Sequence, residues 1–243
     1  MSPLELTLIF IFTFFQSVFG VGLLVFGTPT FLLLGYEYLD VLNILLPLST
    51  TVSLLQIFFS KKKDTSFRIN FIKYCLPISI LSLCSLLLFQ DNINFVVLTS
   101  FVMIVFSLAN LLKVEKIFIK KLNKKDIRFG LFFLGIIHGF TNLGGGLLTN
   151  ISSAINKDKF LIRYNIAVGY FMLSLSKLLI INLFYKKLDL NNLYYLIIPI
   201  ICFFLTKVIF EKIQNNLFSF SLNITILFYG LYIFFRNANI LKF

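Results

Sequence analysis

Tryptophan is absent from this chain, histidine occurs once, cysteine three times, and only 10 of the 243 residues are acidic. Each shortage removes a class of chemistry. The cysteines, Cys75, Cys84 and Cys202, all fall inside apolar runs and supply neither a disulfide framework nor a paired-cysteine metal spacing. The lone histidine, His138, does not make a metal centre by itself, so no metal or cofactor is expected. Without a carboxylate pair inside an apolar run, neither a sodium site nor a carboxylate proton relay has its ligands. A buried enzyme needs titratable groups within mutual reach, and no serine or cysteine here has an evident base, so the chain does not read as an enzyme. No nucleotide-binding motif is present to couple ATP within the chain.

What is present is apolar. Hydrophobic residues make up 58% and charged residues 13%, with a mean hydropathy of +0.94, which excludes an ordinary soluble domain. A helix needs roughly 20 apolar residues to cross a bilayer. Eight such stretches can be laid out: Leu4 to Phe26, Leu39 to Phe59, Phe71 to Phe89, Ile93 to Leu112, Phe129 to Ile151, Ile162 to Phe184, Leu193 to Phe210 and Leu217 to Phe235. The pattern predicts an all-α polytopic membrane protein of about eight transmembrane helices. The start, Met-Ser-Pro-Leu-Glu-Leu, has no basic n-region or small-residue cleavage site and reads as part of a retained first helix.

The formal net charge of +12 is distributed by topology. Lys61, Lys62, Lys63, Arg68 and Lys73 flank the second connection, and Lys113, Lys116, Lys120, Lys121, Lys124, Lys125 and Arg128 fill the fourth, whereas the first and third carry no cation. With Lys186, Lys187, Arg236 and Lys242 counted on that same side, this places the basic loops and both termini in the cytoplasm, with the chain in the cytoplasmic membrane. The loops are also suited to anionic lipid headgroups. The 32 phenylalanines are spread along every apolar run, which fits lipid-facing and packing surfaces, and nucleic acid is excluded as a partner.

The run His138-Gly139-Phe140-Thr141-Asn142-Leu143-Gly144-Gly145-Gly146 stands where a spanning helix is expected. Each glycine costs a helix roughly 0.8 to 1 kcal/mol relative to alanine, so the triplet predicts a break. Backbone freed at membrane depth is tolerated only against protein, a cavity or a solute. An analogous segment, Gly20-Val21-Gly22 with Pro29 beyond it, opens the first half. The halves echo each other: Asn43-Ile44 recurs as Asn165-Ile166, Pro77-Ile78 as Pro199-Ile200, Asn70 as Asn192, and Gly22-Leu23-Leu24 as Gly146-Leu147-Leu148 with a two-residue gap. This predicts two tandem four-helix repeats, 1–112 and 129–243, joined by a basic linker at 113–128, with the first helix of each broken at its glycines. An even number of spans per repeat would give both halves the same orientation, about an axis along the membrane normal.

Paired interrupted helices mark a transporter's binding site, because exposed helix N-termini favour anions. Gly20, Gly22, Pro29, Gly139, Thr141, Asn142, Gly144, Gly145 and Gly146 are therefore candidate binding residues, with close helix packing as the alternative use of the glycines. Lys177, inside the sixth stretch, either snorkels toward Lys186 and Lys187, attracts an anion or closes an interhelical pair. His138 is a candidate for proton coupling or for an interhelical hydrogen bond. Gln16, Asn43, Asn150 and Asn165 are further donors, Ser49, Thr50, Thr51 and Ser53 follow Pro47, and Glu211 reads as a surface pair with Lys207 or Lys212.

Two halves that each open on a glycine segment, in a basic chain of this length, resemble the TauE/SafE family of membrane transporters. The likeness rests on Gly135, Gly139 and Gly144-Gly145-Gly146-Leu147, and on Gly20-x-Gly22 followed by Pro29. It implies transport of a small anion such as sulfite, thiosulfate or an organosulfonate, held between the two broken helices. Homo-oligomers are compatible with the sequence, and a membrane scaffold or accessory subunit is the alternative reading.

Overall fold

The chain is helical throughout in this computed structural model, which describes residues 2–89, 94–111, 124–185, 194–212 and 227–236, with no strand among them. Helix α1 (Pro3–Phe19) starts at a capping box in which Ser2 and Glu5 satisfy each other's backbone N–H groups, with Pro3 where no donor is needed. It stops at Gly20, whose φ of 79° is left-handed and whose N–H reaches the Gln16 carbonyl at 2.8 Å.

The break is a reversal. Helix α2 (Leu23–Leu33) folds back along α1, placing the Phe26 ring 6.1 Å from Phe12 and 5.7 Å from Phe15. Just past α2, the Tyr36 hydroxyl donates to Glu5 at 2.6 Å. The two helices are the arms of a hairpin that opens where it began. Helix α3 (Tyr38–Phe58) then runs beside α1 in the same direction, and Gln56 near its far end donates to the carbonyls of Gln16 and Ser17. Its 21 residues, about 31 Å at 1.5 Å each, separate the Glu5 end of the bundle from the Lys62 end.

Helix α4 (Thr65–Asn70), capped by the Asp64 side chain, passes through a π turn (Phe71–Cys75) into α5 (Leu76–Phe89). Pro77 follows that turn and lacks the N–H that an uninterrupted helix would bond at this position. After α6 (Phe95–Leu111), α7 (Lys124–Thr141) and α8 (Gly145–Ile155) form a second hairpin around Asn142, φ 63°, whose N–H reaches the His138 carbonyl at 3.0 Å. This hairpin opens at the opposite end. Ile127 and Arg128 of α7 and Ile155 of α8 line one cavity of about 650 Å³ with Asp64 and Ser66. Beyond α8, Asp158 accepts from Lys62, which holds its carboxyl below the usual carboxylate range. Helices α9 (Lys159–Tyr185), α10 (Ile197–Lys212) and α11 (Leu227–Arg236) complete the bundle.

Hairpin boundaries recur 122 residues apart: Phe19 with Thr141, Leu23 with Gly145, Leu33 with Ile155. The left-handed residues Gly20 and Asn142, and the N-caps Gly22 and Gly144, keep the same register. No gap is needed, so Gly22 corresponds to Gly144, not Gly146. Packing follows an exchange: the first arm of each hairpin lies on a helix from the other half, α1 on α10 and α7 on α5, while α3 packs on α9.

Four helices are long and apolar enough to cross a membrane: Tyr38–Phe58, Thr65–Leu88, Lys159–Tyr185 and Tyr194–Lys212. The surface is apolar where a soluble protein's is not, with Leu88 79% exposed and Phe58 and Leu183 each 77% exposed, while Gln16, His138 and Lys177 are buried. Two expectations change. The stretches Leu4 to Phe26 and Phe129 to Ile151 are not single spans, because each contains a hairpin tip. Since each hairpin returns to its own end, the chain's start lies at the end of the bundle opposite Lys61 and Lys62. Glu211 pairs with Lys61 at 3.2 Å and not with its helical neighbours. Most of the basic linker lies outside the described residues, as do Lys186, Lys187, Asn192 and Lys242.

Candidate functional site

The tip of the second hairpin brings together the buried polar residues Thr28, His138, Thr141, Asn142 and Lys177. Asn142 takes the left-handed conformation that ends α7, a role asparagine fills at lower cost than most residues with a side chain. Its amide nitrogen donates to the Thr28 hydroxyl at 3.1 Å, and its amide oxygen accepts from Lys177 at 3.2 Å. Thr141 works on the backbone, donating to the Ile137 carbonyl at 2.7 Å and accepting from Leu143 N–H at 3.1 Å. It shapes the turn.

Lys177, only 1% exposed, reaches across from α9 and donates to the carbonyls of His138, at 2.6 Å, and Gly139, at 3.4 Å, as well as to Asn142. Its three N–H donors meet three uncharged acceptors, two of them at the carbonyl end of α7. The lysine therefore caps a helix C-terminus, where the macrodipole favours a cation. Of the three roles open in the sequence, snorkelling is excluded by this burial and direction.

His138 accepts the Gly144 N–H on Nδ1 at 3.2 Å, so the neutral imidazole carries its proton on Nε2. That Nε2 is buried and has no hydrogen-bond partner among the described residues. Neither has the buried hydroxyl of Tyr170, on α9, whose ring centroid lies 6.0 Å from that of His138. A Cβ added to Gly145 would run into the Tyr170 hydroxyl, so the oxygen sits directly against the start of α8. Two donors without partners among the described residues thus belong to side chains that pack on the start of α8, and the backbone carbonyl of one of them, His138, accepts from Lys177; the first N–H groups of a helix have no intrahelical acceptors.

The other candidates divide by position. Gly144 and Gly145 adjoin the unpaired donors, and Gly146 is buried in the first turn of α8. Gly139 faces away, where a Cβ would meet the Ser79 carbonyl at 2.8 Å, so it serves the α5–α7 contact. The first hairpin contributes through α2: Thr28 binds Asn142, and Val25 lies 2.8 Å from where a Gly145 Cβ would be. Pro29 is buried one residue further along.

Gly20 and Gly22 belong to the opposite tip, whose capping groups are uncharged amides and hydroxyls. There Gln16 takes the register position of His138 and donates to the Ser49 hydroxyl at 2.9 Å and the Ser53 hydroxyl at 3.3 Å. Gln56 caps the α1 carbonyls as Lys177 caps those of α7. Of the other donors proposed from the sequence, Asn165 binds Asp64 at 3.3 Å, Asn43 keeps a buried, unpartnered oxygen, and Thr50 and Thr51 donate to their own helix. The glycine motifs do not point to Tyr170 or Thr28; the sequence signal for Tyr170 is its place seven residues before Lys177, on the same helix face.

No protein-family model, curated protein or solved structure matches the chain.

Proposed function

We propose that this protein is a secondary transporter or facilitator of a small anion in the cytoplasmic membrane. The observation that carries the reading is the pair of buried, unpaired donors, His138 Nε2–H and Tyr170 O–H, set against the N-terminus of α8 beside Lys177. A buried unpaired polar group costs about 1 to 3 kcal/mol, and a ligand that accepts from both donors repays that cost. The ligand must offer acceptors and negative charge. A small oxyanion does both, and the likeness to TauE/SafE transporters selects sulfite, thiosulfate or a short sulfonate as first candidates.

The proposal includes an architecture. Residues 1–112 and 129–243 form two inverted repeats, each a hairpin followed by three crossings, related by a two-fold axis in the membrane plane. The common register of 122 residues and the exchanged packing of α1 on α10 and α7 on α5 support it. Hairpins inserted from opposite faces meet at the centre, where rocking of one repeat against the other would expose the site alternately. With Lys61, Lys62, Lys63 and Arg128 at one end, the cytoplasm lies at the Lys62 end and the chain's start lies across the membrane. No catalytic step is assigned to the site, whose groups donate hydrogen bonds without an adjacent nucleophile.

Anion flux into proteoliposomes tests the reading, with sulfite, thiosulfate, sulfate and ethanesulfonate as the panel. We expect saturable flux of one anion class and its loss in Gly145→Leu, whose side chain would displace the Tyr170 hydroxyl and Val25. Absence of flux for the whole panel in monodisperse wild-type protein would sink the proposal and favour the scaffold reading.

A further inference from the structure

Arg163, Tyr170 and Lys177 are spaced seven residues apart on α9 and are 9%, 0% and 1% exposed. Seven residues make two turns less about 20°, so the three side chains form one stripe, with successive members about 10 Å apart along the axis. Each meets a different part of the paired hairpins. Lys177 holds the end of α7 and Tyr170 abuts the start of α8. The Arg163 side chain lies beside the first hairpin tip, its Cγ 3.5 Å from where a Gly20 Cβ would be.

Arg163 also reaches the surface. Its guanidinium lies 3.6 Å from the Phe210 ring centroid and lines a small crevice at the Lys62 end with Lys61, Lys207 and Glu211. The crevice holds about 20 Å³, enough for one water. Three cations against one carboxylate, itself bridged to Lys61, give its mouth a positive field. The Arg163 guanidinium is held between this mouth and a glycine tip, its charge compensated by the Phe210 ring and by Glu211.

We infer that α9 carries the anion route: Arg163 is its outer station at the Lys62 end, Tyr170 its midpoint at the α8 N-terminus, and Lys177 its far station toward the Glu5 end. The inference rests on the anion-transport reading and adds a path to it. It assigns Arg163 a binding role that the glycine motifs do not indicate. It also makes the route asymmetric, because the register equivalents of Arg163, Tyr170 and Lys177 on α3 are Val41, Leu48 and Leu55.

Cysteine accessibility tests the route without knowledge of the substrate. Cys75, Cys84 and Cys202 are replaced by alanine in the full chain, and Tyr170→Cys or the nearly isosteric Ser174→Cys, one turn along the stripe, is introduced. The proteins are reconstituted and treated from each face with an anionic methanethiosulfonate (ethylsulfonate) or a cationic one (ethyltrimethylammonium). Both reporters should react with the anionic reagent at least about tenfold faster, as expected where fixed cations focus counter-ions. Adding Arg163→Gln should slow that reaction from the Lys62 face by a similar factor and leave the rate from the Glu5 face within about twofold. Equal rates for the two reagents, or no modification of either reporter in monodisperse protein, would overturn the route. Saturable wild-type flux with that negative result would leave the transporter reading standing and place the path elsewhere; anion-selective labelling without flux would do the reverse.

Discussion

Lys177 and Gln56 do the same mechanical work with different charge. Each reaches from a neighbouring helix to cap the carbonyl end of a hairpin's first arm, Lys177 on His138 and Gly139, Gln56 on Gln16 and Ser17. An amide suffices for capping, so the ammonium at the second tip is an addition that capping does not require. Tyr170 makes the same point in reverse, because its buried hydroxyl has no hydrogen-bond partner among the described residues. Tyr170→Phe should therefore leave thermal stability in detergent unchanged or raise it by up to about 1 kcal/mol. The same substitution should weaken anion binding by roughly ten- to a hundredfold, the worth of one hydrogen bond to a charged group at about 1.5 to 3 kcal/mol. Paired thermal-melt and isothermal-titration measurements separate the two effects, and a large loss of stability with unchanged affinity would make the hydroxyl structural. Residue identity in the sequence shows that His138 and Lys177 are unusual, since ionisable groups in apolar runs need partners. It does not show what they face, because the acceptors of Lys177 are backbone carbonyls, which no side-chain pattern reports.

At the scale of elements, the two hairpins share geometry and differ in chemistry. The first is closed on itself: Gln16 reaches two serine hydroxyls of α3, and Gln56 returns to the α1 carbonyls. We expect Gln16→Leu to strip partners from Ser49 and Ser53 and destabilise the fold by about 1 to 3 kcal/mol, while the anion's affinity at the second tip changes little. Affinity that falls as far as it does in Tyr170→Phe would show that both tips hold the ligand. The glycines announce both breaks, because helix cost is local and readable. They do not announce the reversal. A 23-residue apolar run such as Leu4 to Phe26 satisfies the length rule for one crossing whether the chain continues or turns back. The direction after Gly20 is fixed by ring contacts between Phe26 and Phe12 or Phe15, and by the bond from Tyr36 to Glu5, all of which are tertiary.

For the whole molecule, the reversal changes the parity of the fold. If each glycine segment crossed once, four spans per half would leave both halves facing the same way; the proposed arrangement of a hairpin plus three crossings per half would leave them inverted. The internal echo of Asn43 in Asn165 and of Pro77 in Pro199 is visible in the sequence, but an echo carries no direction, so whether the chain turns back at one tip decides between a symmetry axis along the membrane normal and one at a right angle to it. The cation count changes meaning as well. Lys61, Lys62 and Lys63 sit at the end opposite Ser2 and Glu5, so in the proposed arrangement the rule that places basic loops inside would place the start of α1 outside. Labelling with a membrane-impermeant maleimide decides this, using Ser2→Cys and Lys62→Cys in the cysteine-replaced chain. We expect Ser2→Cys to react in intact cells and Lys62→Cys to react only in inside-out vesicles. Reaction of both from the same face would restore the eight-crossing arrangement and remove the inverted pairing on which the central meeting of the α2 and α8 N-termini depends. Opposite-face labelling would instead fix the Arg163 mouth on the cytoplasmic side, because Arg163 lines the same crevice as Lys61, and the route along α9 would then begin in the cytoplasm.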